Sequence, residues 1–428
     1  MSDAPTGATT MHVAPLVLPM IGPPLRDAGV VVVGERIEAV GDRADLLATF
    51  PHARVREWPG VMTPGLVNAH AHLEYGQPFA DLATSGLPFG DWIQELTRRR
   101  RTLTGADWLA SARGSVHDLL RSGTTCVADV VTTGPGVLAA ARAGLAGVSY
   151  VEVVGCDEAG WPAERTRVLD LLGSAPPGRE LGLSPHALYS ISGPVVTAAV
   201  ALARDRGARV HTHLAETAEE AEYVLSGGGP ISAALRRIGL DHDLMGSGAG
   251  VSPAAHLDAL GGLGDDVHVA HGVHLDTADR ALLRARRTPV ALCVRSNAIL
   301  GAGTAPVAAL LAEGSPVAVG TDSLASSPSL DLLAELAAVR DVAVSQGYAE
   351  RDLAERLVRA VTVDGAAAMG LAGRSGALVA GARADLAVFD VPTAAPYDDL
   401  VRAGAGRCVL TVVAGRIVHR RASLGSAA

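Results

Sequence analysis

Four short motifs bring together residue types that hold metal ions and move protons. His70 and His72 stand two apart, so on an extended strand both imidazoles face the same side and can reach one ion. That spacing is common by chance, and a pair of buried structural histidines would explain it equally well. The run His211-Thr212-His213-Leu214-Ala215-Glu216 adds a further imidazole and, three residues on, a carboxylate. Taken alone it reads as a buried histidine followed by a helix-capping glutamate. His271 lies in Ala270-His271-Gly272-Val273-His274, and Asp322 in Val319-Gly320-Thr321-Asp322-Ser323. His70, His72, His213 and Asp322 together suit one divalent metal ion whose coordination water completes, with zinc favoured and iron or manganese left open.

Each motif has a bland account on its own, but all four follow short β-like runs. Eight such runs can be counted: Val61 to Asn68, Thr125 to Val130, Gly147 to Val153, Leu181 to Ser184, Arg209 to Leu214, Val267 to Ala270, Pro289 to Cys293, and Val317 to Gly320. Helical stretches such as Asp107 to Arg121, Pro194 to Asp205 and Leu330 to Val344 separate them, which is the alternation of βα units. Eight units favour an α/β fold built as a TIM-like (β/α)8 barrel, although a doubly wound open sheet has the same periodicity. In a barrel, the C-terminal strand ends are where active sites are built, and the motifs fall there.

Both ends of the chain are β-rich. Val30 to Val33 and Arg36 to Val40 flank Gly34-Glu35 as a hairpin, Ala384 to Val391 reads as a strand, and Cys408 to Val413 and Arg416 to His419 flank Ala414-Gly415. This predicts a small β-sandwich domain formed from both termini, residues 1–61 and 374–428, with the barrel over 62–373 as an insertion.

The 428 residues are 48% hydrophobic and 19% charged, enough to bury a large core. A net charge of −9 gives no cationic footprint for nucleic acid, and the run Arg98 to Arg101 reads as a solvated helix end. Four scattered cysteines form no C-x-x-C pair, which fits a reducing cytoplasm, and no signal peptide or membrane anchor is legible. Homo-oligomerisation stays open. All 36 basic residues counted as Lys+Arg are arginine, so chemistry that requires a lysine is excluded.

The ordered set P-G-L-V-N-A-H-A-H, H-T-H-L-A-E-T, A-H-G-V-H-L and G-T-D-S resembles the amidohydrolase superfamily over nearly the whole chain. Gly376-Ala377-Leu378 through Gly381-Ala382-Arg383-Ala384-Asp385-Leu386 looks like that family's return into its small β domain. Members with two metals commonly bridge them through a carboxylated lysine. A lysine-free chain therefore resembles the one-metal branch of adenosine-type, guanine and cytosine deaminases. That resemblance implies hydrolytic deamination of a heterocycle. Asp322 would bind metal and accept a proton from water, His271 would steady the nucleophile, and Glu216 would protonate the ring nitrogen and then the departing ammonia. His211 and His274 are open between orienting a ligand and a purely structural part.

Substrate choice belongs to the remaining strand-end loops. Trp92 could stack on a flat base or simply pack its loop. His186, in Ser184-Pro185-His186-Ala187-Leu188-Tyr189-Ser190, resembles a histidine that contacts substrate in purine-type deaminases. The combination N-A-H-A-H-L-E-Y, F-G-D-W-I, S-P-H-A-L-Y-S and C-V-R-S-N looks like the aminodeoxyfutalosine deaminases of the futalosine route to menaquinone. Their nucleoside-like substrate carries a benzoate, for which Arg295 would supply a forked partner, with Ser296 and Asn297 beside it. Glu74 would meet ribose hydroxyls. Rival readings are deaminases of methylthioadenosine, adenosylhomocysteine or guanine, a ring-opening hydrolase of the imidazolonepropionase kind, and a non-catalytic metal-binding barrel.

Overall fold

The computed structural model describes residues 9–237 and 242–421. Its centre is a parallel sheet of eight strands in sequence order: Leu66–Ala71, Thr124–Val131, Ala146–Val153, Glu180–Pro185, Val210–Leu214, Val267–His271, Val290–Leu292 and Val317–Val319. Nearly all residues of these strands are buried, as expected of strands covered by helices outside and packed against one another inside. The barrel closes between its first and last strands. Asn68 receives N–H bonds at Oδ1 from Thr321 and His70, and its Nδ2 donates to the Thr321 hydroxyl at 2.7 Å. The amide of Asp322 then donates to the carbonyl of His70 at 3.0 Å. Gly320 permits that seam, because a Cβ there would stand 2.6 to 2.7 Å from atoms of His70.

Helices follow most strands, and their starts are written in the sequence. Thr104 and Asp107 form a reciprocal capping box for Gly105–Arg121, as Asp276 and Asp279 do for Thr277–Arg286. Pro194 occupies the first turn of Gly193–Asp205, where its missing N–H costs nothing. Within Leu332–Ser345 the buried Leu332, Leu336, Val339 and Ala343 follow helical spacing and join the main core.

A second sheet takes strands from both ends of the chain, ordered Arg416–Arg420, Cys408–Val413, Leu386–Phe389, Val61–Pro64, Thr10–Val17, Leu25–Val33 and Arg36–Asp42, with Arg54–Glu57 paired to Thr10–Val17. Val30 and Val32 from one half share an apolar cluster with Leu410 and Val412 from the other. The hairpin expected around Gly34-Glu35 forms, with Val33 opposite Arg36. The single strand expected over Val61 to Asn68 is two strands, which is a correction. Val61–Pro64 runs antiparallel to Leu386–Phe389 in the terminal sheet, while Leu66–Ala71 enters the barrel. The chain changes sheets at Gly65, where a Cβ would lie 2.1 Å from the Thr125 hydroxyl oxygen. An unbroken run of apolar residues hides such a switch. No helix among the described residues is long and apolar enough to cross a membrane.

Candidate active site

His70 and His72 project from the end of the first strand to one side, as their spacing dictates, and their rings stand 5.0 Å apart. His213, at the end of the fifth strand, brings its Nε2 to 3.1 Å from Nε2 of His72. Asp322 Oδ1 is 3.9 Å from Nε2 of both His70 and His72. Donors bound about 2.1 Å from a tetrahedral ion sit roughly 3.4 Å apart, so this set is sized for one.

Hydrogen bonding settles which nitrogens face the centre. His213 gives its Nδ1–H to the carbonyl of His186 at 3.0 Å, which leaves its Nε2 lone pair bare. His211 gives Nδ1–H to the carbonyl of His268, so its Nε2 must accept from Nδ1 of His70 at 2.7 Å. Nε2 of His70 is consequently bare, fully buried and without a hydrogen-bond partner. Burial, reinforced for His70 and His213 by neighbouring imidazoles, pushes the pKa of His70, His72 and His213 down and keeps them neutral, the form that ligates metal. Bare nitrogens converging beside a carboxylate fit a divalent cation.

Three residues that are not glycine hold left-handed backbone at strand ends here: Ala215 (φ 52°), His271 (φ 73°) and Asp322 (φ 57°). Such strain persists where surrounding contacts over-determine it, and it clusters at functional sites. Along the sixth strand, simple alternation puts His268 inside the barrel and His271 outside. The turn at His271 reverses that, and its ring lies 5.4 Å from His213 and 5.3 Å from His70. The kink at Ala215 is held by Glu220, whose carboxylate accepts the amides of Ala215 and Glu216 at 2.9 and 2.8 Å.

Glu216 itself is buried, with Oε1 3.5 Å from Nε2 of His271. Burial raises its pKa, His271 opposes that shift and Asp322 adds to it, so the carboxyl is tuned to hold a proton more readily than an exposed glutamate. Nδ1 of His271 meets Oδ1 of Asn297 at 3.0 Å, which makes Nδ1 the donor and leaves Nε2 as an acceptor. Oδ2 of Asp322 accepts from Ser296 and Ser326 at 2.7 and 2.9 Å, while Oδ1 also takes the Ser323 amide. A metal cradle, a protonatable carboxyl and a buried imidazole acceptor therefore lie side by side.

The residues chosen for substrate contact divide. His186 lies at the site, its ring 4.6 Å from His213, with Nδ1 bonded to Ser190 and burial lowering its pKa to about 4. Ser296 and Asn297 instead grip Asp322 and His271. Glu74 has its carboxylate filled by the amides and hydroxyls of Thr132 and Thr133, leaving nothing for ribose. Trp92 is buried, stacked on Phe89, with its indole N–H on the carbonyl of Ala325, so it packs the loop. The guanidinium of Arg295 faces Ser329 and Glu335 and is mostly buried. His211 backs His70, whereas His274 donates from Nε2 to the Ala302 carbonyl, outside the metal-facing set.

Sequence reading missed His268, Ser326, Asn68 and Glu220. Strand alternation carried the signal for Asn68, which stands two residues before His70 on the same strand, whereas His268 stands three before His271 and is out of phase with it. Ser326 lies in a turn and Glu220 in the first turn of the helix Ala218–Ser226, where an acidic residue reads as an ordinary helix start. The run Arg98 to Arg101 ends the helix Phe89–Arg100, and Arg98 is solvated as expected. Arg100 is not: its guanidinium covers the Tyr75 ring at 5.6 Å.

Comparison with known proteins agrees with this geometry. The amidohydrolase family profile matches residues 61–418, and a bacterial imidazolonepropionase-like composite domain profile matches 28–53. An aminodeoxyfutalosine deaminase of Deinococcus radiodurans is 33% identical over 73% of this chain and 76% of its own. A 5-methylthioadenosine/S-adenosylhomocysteine deaminase of Natronomonas pharaonis is 33% identical over 80% of this chain and 76% of its own. Among solved structures, a zinc-bound adenosine deaminase of Xanthomonas campestris superposes with a TM-score of 0.81 at 24% identity, over 97% of this chain and 94% of that one, and so shares the fold.

Proposed function

Because this chain belongs to the amidohydrolase family, we propose that it hydrolyses the exocyclic amine of an adenine-type nucleoside, and that its substrate is 6-amino-6-deoxyfutalosine, released as futalosine and ammonia in menaquinone biosynthesis. The observation that carries the deaminase reading is the buried contact of Glu216 with His271 beside the metal cradle. A non-catalytic binding barrel has no use for a proton donor and acceptor set 3.5 Å apart.

His70, His72, His213 and Asp322 would hold one divalent ion, zinc by donor type, which when bound lowers the pKa of water toward about 7. Nε2 of His271, whose Nδ1–H is committed to Asn297, accepts a proton from the attacking water, and Asp322 shares that task. Ser296 and Ser326 keep the Asp322 carboxylate turned so that Oδ1 faces the histidines. Glu216 protonates the ring nitrogen beside the attacked carbon, so the added oxygen and proton balance across that bond. As the carbon–nitrogen bond breaks, the hydroxyl proton of the tetrahedral carbon passes through the ionised Glu216 to the amino group, leaving a carbonyl and ammonia, and the proton taken up by His271 and Asp322 restores Glu216 for the next turnover.

The aminodeoxyfutalosine assignment is supported by the Deinococcus relative and by the motif combination. A second reading has equal identity behind it, deamination of methylthioadenosine or adenosylhomocysteine. The deciding experiment supplies metal-replete protein with aminodeoxyfutalosine, adenosine, methylthioadenosine, adenosylhomocysteine and guanine, following ammonia and ultraviolet change. Aminodeoxyfutalosine is expected to turn over fastest. Comparable rates on all five overturn that substrate, and absence of ammonia from any overturns the deaminase.

A further inference from the structure

Near the metal cradle stand two oppositely charged groups that form no ion pair among the described residues. Glu152 ends the third barrel strand and is 3% exposed, yet its carboxylate has no hydrogen-bond donor among the described residues. Its Oε1 lies 3.9 Å from Nε2 of His186, an imidazole that burial keeps neutral, and this is beyond hydrogen-bond length. Arg100, at the end of the helix Phe89–Arg100, lies over the Tyr75 ring and likewise has no hydrogen bond or ion pair among the described residues. The two groups are near enough to act on one another. Tyr75 stacks on His72 at 5.4 Å, and His186 stands 4.6 Å from His213, so Arg100 and Glu152 each lie one ring away from adjacent metal ligands. Both act on His72 and His186, the carboxylate favouring and the guanidinium disfavouring their charged forms.

A buried carboxylate without a donor carries a large desolvation cost unless a ligand supplies one. A cation would satisfy Glu152 but be repelled by Arg100, and an anion would meet the reverse. A neutral group that donates and accepts at each oxygen satisfies both, and vicinal hydroxyls do so. We propose that Glu152 and Arg100 form the sugar subsite of this enzyme, Glu152 accepting from and Arg100 donating to the 2′- and 3′-hydroxyls of the nucleoside. Acidic side chains take ribose hydroxyls in this way in dinucleotide-binding folds. Glu74, the acidic residue nearest the histidine motif, is already filled by Thr132 and Thr133 and leaves the role vacant.

The inference rests on the nucleoside reading, and the test separates the two. Adenosine and 2′,3′-dideoxyadenosine are compared as substrates of the metal-replete full chain, its Glu152→Gln variant and its Arg100→Gln variant. The parent protein is expected to favour adenosine in kcat/KM by about 10–100-fold, the worth of hydrogen bonds to charged groups. In each variant that preference should shrink at least severalfold, through loss on adenosine. Equal losses on both substrates, or no preference in the parent, overturn the subsite. Calorimetric binding of inosine and 2′,3′-dideoxyinosine needs no turnover and decides the matter if neither nucleoside releases ammonia. Tighter inosine binding that depends on Glu152 and Arg100 would then uphold the subsite while the deaminase reading fell, and equal binding of both would overturn it.

Discussion

Nδ1 of His70 lies 2.7 Å from Nε2 of His211, a contact that fixes which nitrogen of His70 is free to bind metal. His211 is itself fixed, because its Nδ1–H goes to the His268 carbonyl and its ring stacks on His268 at 4.1 Å. His211→Phe keeps a ring in that stack and removes the acceptor. Metal affinity should fall by about 10–100-fold, the usual cost of losing a ligand's supporting partner. Competition against a chelator measures it, and unchanged retention would show that His70 needs no such support.

Glu216→Gln preserves shape while abolishing the titrating carboxyl. Metal content should stay near that of the parent, since Glu216 is outside the ligand set, and kcat should drop by roughly 10²–10⁴. Near-normal turnover in a metal-replete variant removes Glu216 from proton transfer.

The barrel was legible because its signal is repeated: eight β-like runs separated by helical stretches, some of whose starts carry a capping residue or proline such as Thr104, Asp276 or Pro194. The ligand histidines were legible because strand periodicity alone puts His70 and His72 on one side. Roles that depend on a side chain's final partner were not. Ser296 and Asn297 follow the seventh strand, where substrate contacts are plausible, but whether they reach substrate or the neighbouring Asp322 and His271 depends on the helix Val294–Ile299 that begins at once after Cys293. Glu74 and Glu152 look alike in sequence. Only the position of Thr132 and Thr133 makes one a filled structural acceptor and leaves the other open. Arg100 was submerged in a run of four arginines whose other members face water or surface carboxylates.

Glu335 gives the fold a pH dependence of predictable sign. It is fully buried, accepts the Arg295 amide at Oε1, and has no hydrogen bond to Oε2. Burial raises its pKa to about 8, partly offset by the Arg295 amide and charge. The folded state thus keeps a proton that the unfolded chain releases near an ordinary glutamate's pKa, about 4.3. Its stabilising contribution is complete below that value and is lost as pH rises toward 8, at up to about 1.4 kcal/mol per pH unit. Asp129 and Glu220, each raised to about 7 by burial, act in the same direction. The buried histidines, their pKa values lowered, push stability the other way up to about pH 6.5 in parent and variant alike, so the difference is the readout: from pH 5 to 8 the urea midpoint of the parent should lose ground steadily to that of Glu335→Gln. Parallel slopes would mean that Glu335 is ionised in the folded protein.

Arg295 offers the sharpest contrast between charge read from sequence and charge seen in place. Both terminal nitrogens of its guanidinium are 3.3 Å from the Ser329 hydroxyl, and its Nε is 3.9 Å from Oε2 of Glu335. Its side chain is 16% exposed, so a benzoate could reach it only by displacing these contacts. Its backbone amide bonds Glu335 at the start of the helix Val294–Ile299, whose Ser296 and Asn297 hold Asp322 and His271, and the guanidinium packs on that same Glu335 and on Ser329, so the side chain backs the helix. Loss of the side chain should disturb catalysis generally and not recognition of an acid. Arg295→Ala is accordingly expected to lower kcat/KM by the same factor, within about twofold, on aminodeoxyfutalosine and on adenosine, a difference under roughly 0.5 kcal/mol. A loss at least tenfold greater on the benzoate-bearing substrate would mean that the guanidinium swings from Ser329 to pair with the carboxylate during binding.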